Sequence, residues 1–452
     1  MGEYAESDST VELQFTREGV TERRYFRSYD DAELLFSRIL AVKEQILGSE
    51  DPEVANTLDC LVNLDFRRGR FTDALPRLQR IIEIREGATG AGRKALAVAL
   101  NNLGLAYQNL GRYEEAEPPL DRAIAIKEEQ YGADHPSVAQ SLNLLAAVCY
   151  YEGRHEKAES LYTRVITIRE KSLGADHPDV AGALNNLAIL YDDQGRYTEA
   201  KPLYLQALAI REAAFGPDHP DVAITLNDLA TLSWRMNDFG SALSMHQRAL
   251  SMRLNAFGRE HPHVAVSMNN MANVLSSMGR DAEAEPLYRD ALAILEPFVG
   301  PDHPFMAQIH NNLGTIYFKF ARYDDAEARW LNALDVLAKT VGPDHANVAE
   351  ILNNLGVVYQ TRQQFPAAET TYASALSICE KAYGSDHPQT AMTLHNLANT
   401  LLYQDKYCEA EAAYRRSESI YRDLFGPDHP AVAQEIFGLA IILHYEGRPD
   451  DD

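Results

Sequence analysis

The sequence predicts an all-α protein, a right-handed superhelical solenoid of antiparallel helix hairpins. Three observations predict it. One column marks a turn every 42 residues: Gly69, Gly111, Gly153, Gly195, Asn237, Gly279, Ala321, Gln363, Asp405 and Gly447. Five residues past each of the first nine turns stands an alanine, from Ala74 and Ala116 through Ala242 to Ala368 and Ala410. On both sides of the turn, apolar residues recur at helical spacing. A fixed period between about 20 and 50 residues, built from two helical patterns, is the mark of stacked units.

In chain order, residues 1–28 fall outside the repeat. Val11, Leu13 and Phe15 alternate as in a short strand, and the segment is otherwise polar, so it reads as an irregular leader. Residues 29–47 carry the second-helix pattern alone, with Ala32, Leu35, Ile39 and Val42, as an N-terminal capping helix. Residues 48–428 make nine hairpins. The first opens at Gly48-Ser49-Glu50-Asp51-Pro52 and runs to about Arg85. The connection after it holds Gly87, Gly90 and Gly92, which predicts the most flexible junction. Residues 429–452 are a C-terminal half-repeat, a lone first helix capping the stack, followed by an acidic tail from Gly447 to Asp452.

Each unit explains its own shape. Leu100, Leu103, Gly104 and Tyr107 fall at i, i+3, i+4 and i+7, one buried stripe of a helix. Ala116, Leu120, Ala123 and Ile126 form the facing stripe. The 104 column stays small as Ala146, Ala188, Ala230, Ala272, Gly314, Gly356 and Ala398, so the two axes approach closely. Gly111 supplies a left-handed residue past the first helix. Trp330 shares a core column with Tyr162, Tyr204, Tyr288, Tyr372 and Tyr414.

The Leu103-Gly104, Tyr107, Gly111, Tyr113, Ala116, Leu120 and Ala123 spacing resembles the tetratricopeptide repeat, lengthened from about 34 residues to 42. Leu184-Asn185-Asn186-Leu187-Ala188 and Gly216-Pro217-Asp218-His219-Pro220-Asp221-Val222-Ala223 resemble the kinesin light chain type and its bacterial relatives. The likeness spans about residues 29–446. It implies a ligand groove on the inner face of the first helices. Kinesin light chains dock acidic, tryptophan-bearing peptides on basic groove residues, and this chain departs from that pattern. Gln140, Asp192, Gln308 and Glu350 stand in its groove columns, with Arg235 and Lys319 at the margin. It also has no heptad segment for a heavy chain.

Histidine recurs at 135, 177, 219, 261, 303, 345, 387 and 429, before proline in seven of the eight. Proline suits the first helical position, and the acid before each histidine is expected to cap the helix. Neighbouring histidines stand at least a helix spacing apart, about 8–10 Å, whereas zinc needs several nitrogens at ~2.0–2.1 Å. No metal and no cofactor is expected.

Asparagine is a mediocre helix former, yet one first-helix column reads Asn101, Asn143, Asn185, Asn227, Asn269, Asn311 and Asn353, then His395. The next column adds Asn102, Asn186, Asn270, Asn312, Asn354 and Asn396. Positions 98, 101, 105 and 108 and their repeats are expected to form one open stripe. Its amides offer the donors and acceptors that hold an extended peptide whatever its sequence. The alternative is that they bond neighbouring helices and fix the repeat spacing. The 108 column alternates Tyr150, Trp234, Phe318 and Leu402 with polar residues, giving anchoring pockets two repeats apart. For Phe318, packing against the adjacent second helix is the competing reading.

With 42 basic and 66 acidic residues the formal charge is −24, which argues against nucleic acid and anionic membranes. No run approaches the roughly 18 apolar residues of a span, and no signal peptide is seen. Cys60, Cys149, Cys379 and Cys408 show no paired spacing, which fits a reducing, cytoplasmic setting. No phosphate loop, nucleophile elbow or unrepeated cluster of titratable groups points to an enzyme. The expectation is a non-catalytic scaffold for a protein or peptide segment, neutral or basic. A regulatory or sensor half of a two-protein system, hinged at 87–92, is the alternative.

Overall fold

The computed structural model describes residues 11–17, 20–26 and 28–446. The chain forms two compact units, residues 1–232 and 233–452.

The first unit begins with β1 (Val11–Arg17) and β2 (Val20–Phe26), an antiparallel pair in which Arg17 faces Val20 and Val11 faces Phe26. The irregular leader expected over 1–28 is thus corrected for these residues. The alternation of Val11, Leu13 and Phe15 marks only β1; β2 is mostly polar and charged, and the two strands together satisfy a ladder that neither makes alone. Helices follow as α1 (Tyr29–Leu47), α2 (Pro52–Arg67), α3 (Phe71–Arg85), α4 (Ala91–Asn109), α5 (Tyr113–Tyr131), α6 (Pro136–Tyr151), α7 (His155–Leu173), α8 (Pro178–Asp193), α9 (Tyr197–Phe215) and α10 (Pro220–Arg235). The unit boundary falls inside α10.

The second unit continues with α11 (Phe239–Phe257), α12 (Pro262–Ser277), α13 (Asp281–Val299), α14 (Pro304–Lys319), α15 (Tyr323–Thr340), α16 (Ala346–Thr361), α17 (Phe365–Tyr383), α18 (Pro388–Leu402), α19 (Tyr407–Phe425) and α20 (Pro430–Glu446). In each unit the helices pack consecutively, α1 to α9 and α11 to α20, and first helices such as α14 and α16 also meet directly. The protein is an all-α helical-repeat solenoid with one small N-terminal strand pair.

The columns do structural work. The alanines from Ala32 to Ala410 are fully buried. A methyl group on Gly314 would sit 2.7 Å from Trp330, and one on Gly356 would sit 2.5 Å from Tyr372, so the bulky partner in the second helix fills the space of the missing side chain. The turn column takes the left-handed conformation throughout the described repeats, even where it is not glycine: Asn237 (φ 61°), Ala321 (56°), Gln363 (60°) and Asp405 (58°). Gly447 and the acidic tail lie outside the described residues.

The histidines cap helices, but not as expected. His135 itself is the N-cap, and its Nδ1 accepts the Ser137 amide at 3.1 Å; the aspartate before it makes no such bond. The same bond recurs from His177 to His429. Proline at N1 leaves the N2 amide as the first donor needing an acceptor, and Nδ1 is placed two residues back to supply it. Among the described residues no group of histidine, cysteine and acidic side chains is placed to hold a metal.

Candidate functional site

Each first helix buries one side on its own second helix and another on the neighbouring repeat, leaving a strip to solvent. In α4 the strip is Val98, Asn102, Leu105 and Asn109. The repeats agree: Gln140, Leu144, Ala147 and Tyr151 in α6, and Gln308, Asn312, Thr315 and Lys319 in α14. The open stripe therefore runs through 98, 102, 105 and 109, one residue round from the expected 98, 101, 105 and 108 at two of its four positions.

That small rotation separates the asparagine columns. Asn101, Asn185, Asn227, Asn269 and Asn353 are buried, the last four at 5%, 6%, 1% and 5% exposure. Three of them bond across to the next repeat, while Asn269 Nδ2 donates to its chain neighbour Asn270 at 3.3 Å. Asn101 Oδ1 accepts from Ser141 (2.6 Å), Asn185 Nδ2 donates to Asp228 (2.8 Å) and Asn353 Nδ2 donates to Thr393 (2.9 Å). Asn311 and Asn143 are half-buried and accept from Asn354 (3.0 Å) and Asn186 (2.9 Å) of the next repeat. Of the two readings of the 101 column, the burial of these five supports the one in which its amides link neighbouring helices. A side chain shut between two helices, with its amide already bonded, has no surface to offer.

Asn186, Asn270, Asn312, Asn354 and Asn396 do stand on the stripe, half-buried. In the second unit four of them follow one another without a gap, from α12 to α18. Asn312 Nδ2 is committed to Asn273 Oδ1 at 3.0 Å, and Asn354 Nδ2 to Asn311. Asn273 and Asn399, on the 105 column, were not singled out in the sequence. They accept Tyr288 Oη (2.5 Å) and Tyr414 Oη (2.7 Å), which couples the stripe to the core tyrosines.

The aromatic column is divided. Trp234 is 37% exposed, and its indole donates to Ser277 at 2.8 Å. Tyr150 is half-buried and donates to Asp193. Phe318 packs on Tyr323 and Trp330, with ring centroids 5.5 and 6.2 Å away, so it belongs to the core edge.

A second ladder escaped the sequence reading although the same 42-residue alignment exposes it: Lys43, Arg85, Lys127, Arg169, Arg211 and Arg253. These cations bridge a second helix to the next first helix, as in Arg85 to the Ala95 carbonyl, Arg169 to that of Asp179 and Arg253 to that of His263. Lys127 is buried, with Ser141 Oγ at 2.7 Å, and burial pulls its ammonium down to about 8.

Paired helices stacked in series, with small-to-large contacts inside each pair and hydrogen-bonded side chains between pairs, define a helical-repeat interaction protein. The sequence matches the family described as tetratricopeptide repeat over residues 95–171, 143–213, 179–255, 243–297, 305–381 and 350–423, and a second tetratricopeptide description over 54–92. The chain belongs to the tetratricopeptide repeat family. A comparison with curated protein sequences found no match. Among solved structures it is similar to the apo quorum sensor NprR of B. thuringiensis, at TM-score 0.57 and 15% identity over 77% of this chain and 95% of that one. It is similar also to the STAND protein with a tetratricopeptide repeat sensor from Pyrococcus horikoshii, at 0.59 and 13% over 92% and 62%. A kinesin light chain repeat protein of Podospora anserina matches at 0.40 and 25% over 46% and 98%. No helix among the described residues is long and apolar enough to cross a membrane.

Proposed function

We propose that the protein is a non-catalytic scaffold, cytoplasmic in setting, that holds an extended segment of a partner along the open stripe of its first helices. Tetratricopeptide repeats bind proteins or peptides, and the observation that carries the finer reading is the unbroken row Asn270, Asn312, Asn354 and Asn396. Among the described residues the Oδ1 atoms of Asn312 and Asn354 accept no hydrogen bond, while their Nδ2 groups are fixed by Asn273 and Asn311. Oxygens held in place this way are suited to accept backbone N–H groups of an extended chain. Stripe residues are mostly uncharged, and the formal charge of −24 surrounds them, which favours a neutral or basic segment. Trp234 belongs to this reading as a margin residue of the second unit; Asn186 and Tyr150 take the corresponding places in the first unit, considered by itself.

Capture of a partner from host lysate by the full chain tests it. Asn312→Ala with Asn354→Ala is expected to abolish capture of the partner by a chain that stays folded, with a modest fall in melting temperature from the two lost bonds to Asn273 and Asn311. Undiminished capture by that double variant overturns the reading. Asn227→Ala with Asn269→Ala is expected to lower the melting temperature more, since those side chains are buried.

A second reading is a sensor, in which ligand binding moves one stretch of repeats against another. It is favoured by the 87–92 connection, where Gly87 (φ 72°) and Gly90 (φ 55°) are both left-handed. Two of the structurally similar proteins are named as a sensor or as carrying one.

A further inference from the structure

At the C-terminal end of the second unit, α18, α19 and α20 enclose a cleft of about 820 Å³. Here the repeat is broken in several columns at once. His395 replaces the asparagine of the 101 column, and Phe437 replaces it in the following repeat. Glu435 stands where earlier repeats have serine, threonine, alanine or isoleucine, and Gly438 stands in the 102 column where asparagine predominates. Glu435 is 1% exposed, and its Oε1 meets His395 Nδ1 at 2.8 Å. Its Oε2 is buried with no hydrogen-bond partner among the described residues.

Around this pair the lining is largely aromatic, with one carboxylate, Asp405. Phe437, Tyr445 and Tyr403 are 69%, 67% and 64% exposed, unusual for such large rings. Tyr403 lies flat on Phe365 at 5.2 Å, and Tyr407 lies parallel to Tyr445 at 6.1 Å. Tyr407 Oη donates to Asp405 Oδ1 at 2.8 Å. Among the described residues no lysine or arginine lines the cleft. Ring faces are electron-rich and attract a desolvated cation, and a neighbouring carboxylate adds charge complementarity.

We infer that this cleft is a subsite for the arginine or lysine side chain of the partner segment. The inference rests on the scaffold reading and names its anchoring chemistry. The backbone lies along the amide row, and one cationic side chain turns into the cleft between Tyr403, Tyr445 and Asp405.

Titration of the full chain with a labelled, terminally blocked pentapeptide carrying one central arginine, read by fluorescence anisotropy, tests the subsite apart from the row. The expected result is affinity about tenfold higher than for the citrulline peptide, which has the same shape and no charge. Asp405→Asn with Tyr445→Ala is expected to erase that preference, and Asn312→Ala with Asn354→Ala to leave it intact, because so short a probe does not need the row. Equal affinity for the arginine and citrulline peptides overturns the subsite while leaving the row untouched. Binding only after removal of residues 447–452 also overturns it, since the chain's own tail would then be the occupant. So does a dimer in sedimentation that Phe437→Ser dissolves.

Discussion

The ring of His387 lies 4.5 Å from that of Tyr383 and at 12° to it, so one histidine covers the last turn of α17 while capping the first turn of α18. Tyr131 with His135, Phe215 with His219 and Phe257 with His261 repeat the arrangement. The joint between repeats is a single side chain with two tasks. Replacing His387 by alanine is expected to cost about 1–2 kcal/mol, the value of an N-cap with its ring contact. His387→Asn keeps the acceptor and loses only the stacking, and should recover about half of that cost. Urea unfolding of the two variants separates the tasks.

Ala321 and Gln363 hold left-handed backbone that glycine adopts without strain. Ala321→Gly and Gln363→Gly are each expected to stabilise the second unit by about 1 kcal/mol, against the usual loss for a glycine substitution. Asn237→Gly should be nearly neutral, because asparagine tolerates this region. An unchanged or lower urea midpoint for Ala321→Gly would contradict the assignment.

The reverse holds at Gly314 and Gly356, inside helices and against Trp330 and Tyr372. Alanine there gains about 1 kcal/mol of helix propensity but drives a methyl group into a packed ring. Overpacking of this kind costs about 1–3 kcal/mol. Gly314→Ala is expected to lower stability, and Gly314→Ala with Trp330→Leu, which makes room, to recover part of the loss.

His246 and His310 should make the second unit sensitive to mild acid. Burial pushes both down to about 4, with Arg253 adding to the effect on His246 and Arg329 to that on His310. The native state thus binds fewer protons than the unfolded chain, whose histidines titrate near ~6.5. Stability is full above about pH 6.5 and falls as pH drops towards about 4. Glutamates of the same unit held low by their partners, such as Glu369 beside Lys406, act in the same direction but only below about 4.5. Between pH 6.5 and 5 the decline should therefore be histidine-driven. His246→Gln is expected to flatten the urea midpoint over that window.

Much of this architecture is written locally. The 42-residue columns fix where helices turn and where each proline starts a helix, because each feature depends on residues within one hairpin. Gly314 in a small column and Trp330 in a core column were both legible from spacing; their contact is seen in the structure. The strand pair at 11–26 was half legible: alternation was visible in Val11, Leu13 and Phe15, while its partner strand is mostly polar and charged.

What the sequence by itself determined is the repeat, the hairpin and the chemistry of its columns. Which column faces outward was decided only by the tertiary structure. Asn311 and Asn312 are adjacent in the chain and about 100° apart on the helix. Both columns are rich in the same amide, so no pattern within one hairpin says which of them meets a neighbour. The seating of the next hairpin settles it: Asn311 is held by Trp330 and Asn354, and Asn312 is left on the open stripe. A helix buries whichever side the adjacent repeat covers, and that choice belongs to the stack as a whole.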